Sequence, residues 1–196
     1  MDLSGVTYIG PELDGSANLD HLPSNLGALL EQINGFILYG GALHVRGLCQ
    51  SPRWHSLEEV WHGKDAFHLL YPSVAAHWVP FAEDCVGDQF FLSDGTILRL
   101  EAETGAVHAT NLTLKQFLAA VEADPVATLS AEPLIQFRKE KGDLPEGQLI
   151  LAYPPFCAKE SADGVSLTAM DCTKVHRFHA DLERQLPQDG SLVRVL

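Results

Sequence analysis

HWVPFAEDCVGDQFFLSDGTILRLEAETGAV, residues His77 to Val107, decides the fold. Four short runs rich in β-formers stand in it and just beyond: HWVPFA, DQFFLS, TILRLE and AVHAT. They are separated by EDCVG, by Asp94-Gly95 and by AETG. Each spacer is a turn signal, and a D-G pair supplies the positive φ angles that close tight hairpins, so neighbouring runs should pair antiparallel as a meander. Pro80 has no amide to donate, which assigns the first run to a sheet edge or to a bulge. EDCVG places Glu83, Asp84 and Asp88 between two very apolar segments, and we read it as a solvated turn in which Asp88 accepts backbone amides.

Toward the N-terminus, LPSNLGALLEQINGF carries Leu26, Leu29, Leu30 and Ile33 at helical spacing and stops at Gly35. FILYGGALHVRGL then reads as strand, glycine turn, strand. Ser56 and Glu59 have capping-box spacing before a short helix through Trp61. Toward the C-terminus, Thr113 and Gln116 repeat that spacing before a stripe of Leu114, Phe117, Leu118 and Val121, and Asp124-Pro125 ends it. Beyond it come a helix at PLIQFRKEKG, strands at QLILAY and VSLTA, a helix from Lys174 to Leu186 with Val175, Phe178, Leu182 and Leu186 as its buried stripe, and SLVRVL. The pattern predicts an α+β fold, an antiparallel meander with amphipathic helices on one face. Residues 1–130 make the main domain, and 131–196 an α/β extension too small to hold its own core and therefore packed on it.

The chain has 196 residues, 13 Lys and Arg against 26 Asp and Glu, and a formal charge of −13. The imbalance lies in residues 1–132, with 17 acidic against 5 basic residues; residues 133–196 have 9 against 8. Such a field repels nucleic acid and anionic membranes and draws in a basic protein surface. No charged start precedes an apolar segment, and GFILYGGAL is too short to span a bilayer, so the expected location is the cytoplasm. Cys49, Cys85, Cys157 and Cys172 form no C-x-x-C pair and read as reduced, mostly buried thiols.

No nucleophile elbow, zincin helix, phosphate loop or dinucleotide fingerprint occurs, so the reading is non-enzymatic and without a cofactor. His176, His179 and Glu183 could share one helix face, but they lack a closed metal-ligand set and read as packed histidines. The acidic spacing D-x-x-x-D lacks the alternating oxygens of a calcium loop. The candidate partner-binding residues are the loop carboxylates: Glu83, Asp84, Asp88, Asp94, Glu101 and Glu103. Glu83 and Asp84 are expected to face a basic partner.

Taken together, Asn34-Gly35 at the end of a leading helix, the W-x-P-F-A segment Trp78 to Ala82, the acidic-glycine turn, Gly87-Asp88 with Phe90-Phe91, and Thr104-Gly105 resemble the SUKH superfamily over roughly residues 20 to 125. That superfamily groups a fungal cell-wall assembly regulator with many bacterial immunity proteins. The resemblance implies an α+β fold without enzymatic activity that neutralises a cognate toxin, often a nuclease; a regulatory module for an endogenous partner is the alternative, and a metal-dependent hydrolase a third. Cys85-Val86 replaces a turn that is often glycine-rich in the family, and residues 133–196 lie outside the matched motifs.

Overall fold

The computed structural model of the protein describes residues 5–15 and 18–186; SLVRVL lies outside them. In chain order the elements are β1 (Val6–Ile9), α1 (Ser24–Gln32), β2 (Phe36–Leu38), β3 (Leu43–Val45), a 3-10 turn at Arg53–His55, α2 (Leu57–Trp61) and α3 (Phe67–Leu70). There follow β4 (Val79–Asp84), β5 (Gln89–Ser93), β6 (Thr96–Leu100), β7 (Val107–Ala109), α4 (Leu114–Ala123), α5 (Pro125–Leu129) and α6 (Glu132–Lys141). The extension closes with β8 (Gln148–Tyr153), a 3-10 turn at Lys159–Asp163, β9 (Ser166–Asp171) and α7 (Cys172–Glu183).

β1 to β7 form one seven-stranded sheet in sequence order, every neighbouring pair antiparallel, and β8 with β9 form a separate ribbon. The fold is α+β, and the meander runs through the whole sheet. Asp94 and Gly95 take φ of 48° and 80° and close the β5–β6 hairpin at the Ser93–Thr96 pair, as an Asp-Gly pair can. Pro80 sits where the β4–β5 register shifts between Val79 and Ala82, so the bulge, not an edge, accommodates it. β1 was not foreseen: a run of only four residues carries too little pattern.

Successive residues of β5 serve opposite faces. Phe90 packs with Phe81 and with Phe117 of α4 in a core shared by Leu26 and Leu30 of α1, while Phe91 joins Phe67 of α3, Tyr71, Leu100 and Ala180 of α7. β4 is consequently buried at all six positions. Ile150, Ala152 and Leu167 of the ribbon belong to the same core as Phe90, and the Ile150 amide donates to the Cys85 carbonyl at 2.8 Å. The extension thus covers the sheet. Thr113 and Gln116 form the expected reciprocal cap of α4. Ser56 and Glu59 do not cap α2; Glu59 instead accepts from Arg53 at 2.7 Å.

Candidate functional site

EDCVG is not a solvated turn. β4 continues through Glu83 and Asp84, both about 1% exposed, and the chain reverses only over residues 85–88. Their expected role as exposed partner contacts is therefore corrected: neither can touch a partner from inside the sheet.

The register explains where they go. Glu83 lies directly across from His44 on β3 and from Gln89 on β5, so three polar side chains form one row on the face covered by α7. Glu83 Oε1 accepts from His44 Nδ1 at 2.9 Å. Its Oε2 accepts from Arg46 at 2.7 Å, His176 Nε2 at 2.6 Å and Gln89 at 3.1 Å. Burial pushes the Glu83 carboxyl up, but Arg46 and His176 beside it outweigh that and hold it well below the usual carboxylate range. Arg46 is fully buried, donates also to the Pro80 carbonyl and Gln89, and lies over the Phe67 ring.

From His44 the network runs on. His44 Nε2 meets His55 Nδ1 at 2.8 Å, and His55 Nε2 meets the Asn34 carbonyl oxygen at 3.0 Å. Burial pushes both imidazoles below the ordinary value, His55 to about 4. Asn34 is itself a clamp: its side chain donates to the carbonyls of Pro11 and Leu48 and accepts the Leu48 amide at 2.7 Å. His55 fits because Gly10, Gly35 and Gly47 surround Nε2, where a Cβ on any of them would approach to between 2.1 and 2.8 Å of His55 or Asn34 atoms.

Asp84 and Asp88 belong to a second internal group. Asp84 accepts the amides of Val86 and Asp88 and, with Asp88, binds Arg99; Asp88 also accepts the Ala102 amide at 2.8 Å. The local turn acceptor is thus Asp84 and not Asp88 as expected: Asp88 reaches across to the Ala102 amide, 14 residues on. Burial and mutual repulsion raise Asp84, and burial raises Asp88. Glu103 accepts the amides of Phe156 and Cys157 at 3.1 and 2.7 Å and so ties the extension to the β6–β7 turn. Of the six predicted residues, Asp94 and Glu101 keep exposed carboxylates, Glu101 beside His108.

On α7 the buried residues are Cys172, Val175, His176, His179 and Ala180, whereas Phe178 is 41% exposed, so the expected stripe is displaced. Among the described residues, no group of three or more His, Cys, Asp or Glu side chains is arranged to hold a metal ion. All four cysteines are free thiols; burial raises Cys85 well above its ordinary value and Cys157 and Cys172 to about 12, which leaves these three protonated and unreactive.

Two openings adjoin these groups. A cavity of about 240 Å³ between the β2–β3 turn and residues 143–149 has His44, Glu83 and Cys172 in its lining. A wider groove of about 820 Å³ is walled by Pro11, Leu48 and Cys49, carries Glu12, Asp14, Glu58 and Glu59, and has no Lys or Arg in its lining. Sequence reading missed the groove and the His44–Arg46 pair. The signal available was the alternation in ALHVRG, which puts both basic side chains on the face opposite Leu43 and Val45.

No protein-family profile matches the chain, and no curated protein does. Among solved structures, the crystal structure of Atu4351 from Agrobacterium tumefaciens is similar, with a TM-score of 0.52 over 89% of this chain and 85% of that one, at 13% sequence identity. The likeness is one of fold.

Proposed function

We propose that this chain is a non-enzymatic protein-binding module of the immunity type, which occupies the basic surface of a cognate toxin such as a nuclease in the cytoplasm. The observation that carries this reading is the groove lined by Glu12, Asp14, Glu58 and Glu59, of which Glu59 is paired with Arg53 and Glu58 meets His21 and His62. The internal carboxylates are matched by Arg46 and Arg99, so the charge of −13 is displayed mainly on the surface. The non-enzymatic half is supported by the commitment of both His44 nitrogens to internal partners, which leaves neither to take a proton from a substrate. Free thiols agree with a reducing compartment, and no helix among the described residues is long and apolar enough to cross a membrane.

The test uses a toxin candidate encoded beside this chain. Association measured at two salt concentrations should slow by about tenfold when Glu12 and Glu58 are both changed to Lys, with a flatter salt dependence, because steering charges act on the on-rate. Reversal of Asp94 serves as the comparison. Unchanged association by the Glu12→Lys, Glu58→Lys protein sinks the groove as the binding surface, and failure to bind or neutralise the candidate sinks its pairing with that toxin.

A further inference from the structure

The row from Glu83 to Asn34 contains three short contacts and each requires one hydrogen: Glu83 Oε1 to His44 Nδ1, His44 Nε2 to His55 Nδ1, and His55 Nε2 to the Asn34 carbonyl. Two neutral imidazoles supply two. The Asn34 carbonyl has none to give. Glu83 is an ionised carboxylate, since Arg46, His176 and Gln89 all donate to its other oxygen. The arrangement is one proton short.

We propose that His44 and His55 together form a proton-binding site, and that uptake of one proton ties His55 to the Asn34 carbonyl and so firms the Pro11–Leu48 wall of the acidic groove. The deficit has a definite place. With both rings neutral, the bond from His44 Nδ1 to the Glu83 carboxylate is charge-assisted and is kept, His44 Nε2 then accepts from His55 Nδ1, and the bare Nε2 of His55 faces the Asn34 oxygen. That contact is repulsive. A proton from solvent restores a donor there.

The consequence reaches the groove because Asn34 holds both Pro11 and Leu48 through its side chain, and both line it. Gly10, Gly35 and Gly47 close around His55 Nε2, whose hydrogen-bond contact is the Asn34 carbonyl. The charged and titratable groups around the pair are Arg46 just after β3, Glu83 of β4, His176 and Cys172 of α7, and Tyr8 of β1, whose ring stands edge-on to His55 at 5.2 Å. Glu83 favours the added proton, whereas Arg46 and burial oppose it and place uptake on the acid side of the ordinary imidazole value of about 6.5. The site is independent of what the groove binds.

The test is a titration of the 15N-labelled full chain, followed through the imidazole nitrogens of His44 and His55 and the Leu48 amide. His55 Nε2 should carry a hydrogen only on the acid side, and the Leu48 amide should shift with the same midpoint. Its exchange with solvent, corrected for the intrinsic pH dependence, should slow by about tenfold in acid, as one added net hydrogen bond gives. His44→Asn keeps a donor for Glu83 but frees His55 Nδ1, so His55 can hold its Nε2 hydrogen at every pH and the Leu48 response should vanish. If that variant does not fold, the wild-type titration decides alone. A His55 Nε2 protonated on both sides of the transition, a Leu48 amide that follows only intrinsic exchange, or a His44→Asn protein that responds like wild type overturns the proposal.

Discussion

Glu83 shows what a single residue can require of a fold. A carboxylate about 1% exposed is tolerable only while Arg46, His44, His176 and Gln89 all donate to it. Glu83→Ala leaves the guanidinium of Arg46 buried without its counter-charge and should cost about 3–5 kcal/mol, read from denaturant unfolding. Glu122→Ala, on the exposed face of α4, should stay within about 0.5 kcal/mol. Equal costs for the two would mean that the internal ion pair contributes nothing. The burial was not legible in the sequence, because the histidine partners of Glu83 lie 39 and 93 positions away. Local pattern shows that a carboxylate follows an apolar run, not what stands opposite it. Asp94-Gly95 was legible for the converse reason: its turn is decided within four residues.

At the scale of elements, strands β2 to β7 and most helices were legible, and β1 and the faces of α7 were not. Val175 belongs to both candidate stripes, but the one completed by Phe178 and Leu182 loses to the one completed by His176, His179 and Ala180. Helical period alone does not choose between stripes rotated by one residue. The bond from His176 to Glu83 does. Its consequence is a second buried imidazole, His179, with Nδ1 unpartnered in the structure and pushed down to about 4 by burial and then by His176. The sign follows from linkage: an unfolded histidine binds its proton below about 6.5 while native His179 stays neutral down to about 4, so acid favours unfolding across that window. Between roughly pH 8 and pH 5 this single group should remove about 2 kcal/mol. His179→Leu should therefore gain stability on wild type as pH falls, by about that amount in paired denaturation curves at the two pH values. Asp84 and Asp88, raised in the native state, act in the opposite direction; being common to both proteins, they cancel in the difference. Parallel pH profiles would mean that His179 titrates as an exposed histidine does.

At the scale of the whole molecule, the question is whether residues 131–196 are an appendage or part of the core. Removing them would uncover Phe91 and Leu100, which pack with Ala180, and Phe90's cluster would lose Leu134, Phe137, Ile150, Ala152 and Leu167. Polar losses are as severe. Glu83 would lose His176, the Cys85 carbonyl would lose the Ile150 amide, and Glu103 would lose its two amide donors. Each large buried apolar side chain contributes on the order of 2 kcal/mol, against a total stability of about 5–15 kcal/mol for a domain. Loss of several such contacts exceeds what residues 1–130 can absorb. A chain ending after Ser130 should aggregate, or unfold without a cooperative transition at temperatures where the full chain remains folded. Thermal melts by circular dichroism with light scattering compare the two directly. A truncated chain that melts cooperatively at the same temperature as the full one would show that the sheet needs no cover on its second face, and that the row from His176 to Asn34 is not part of what holds the fold together.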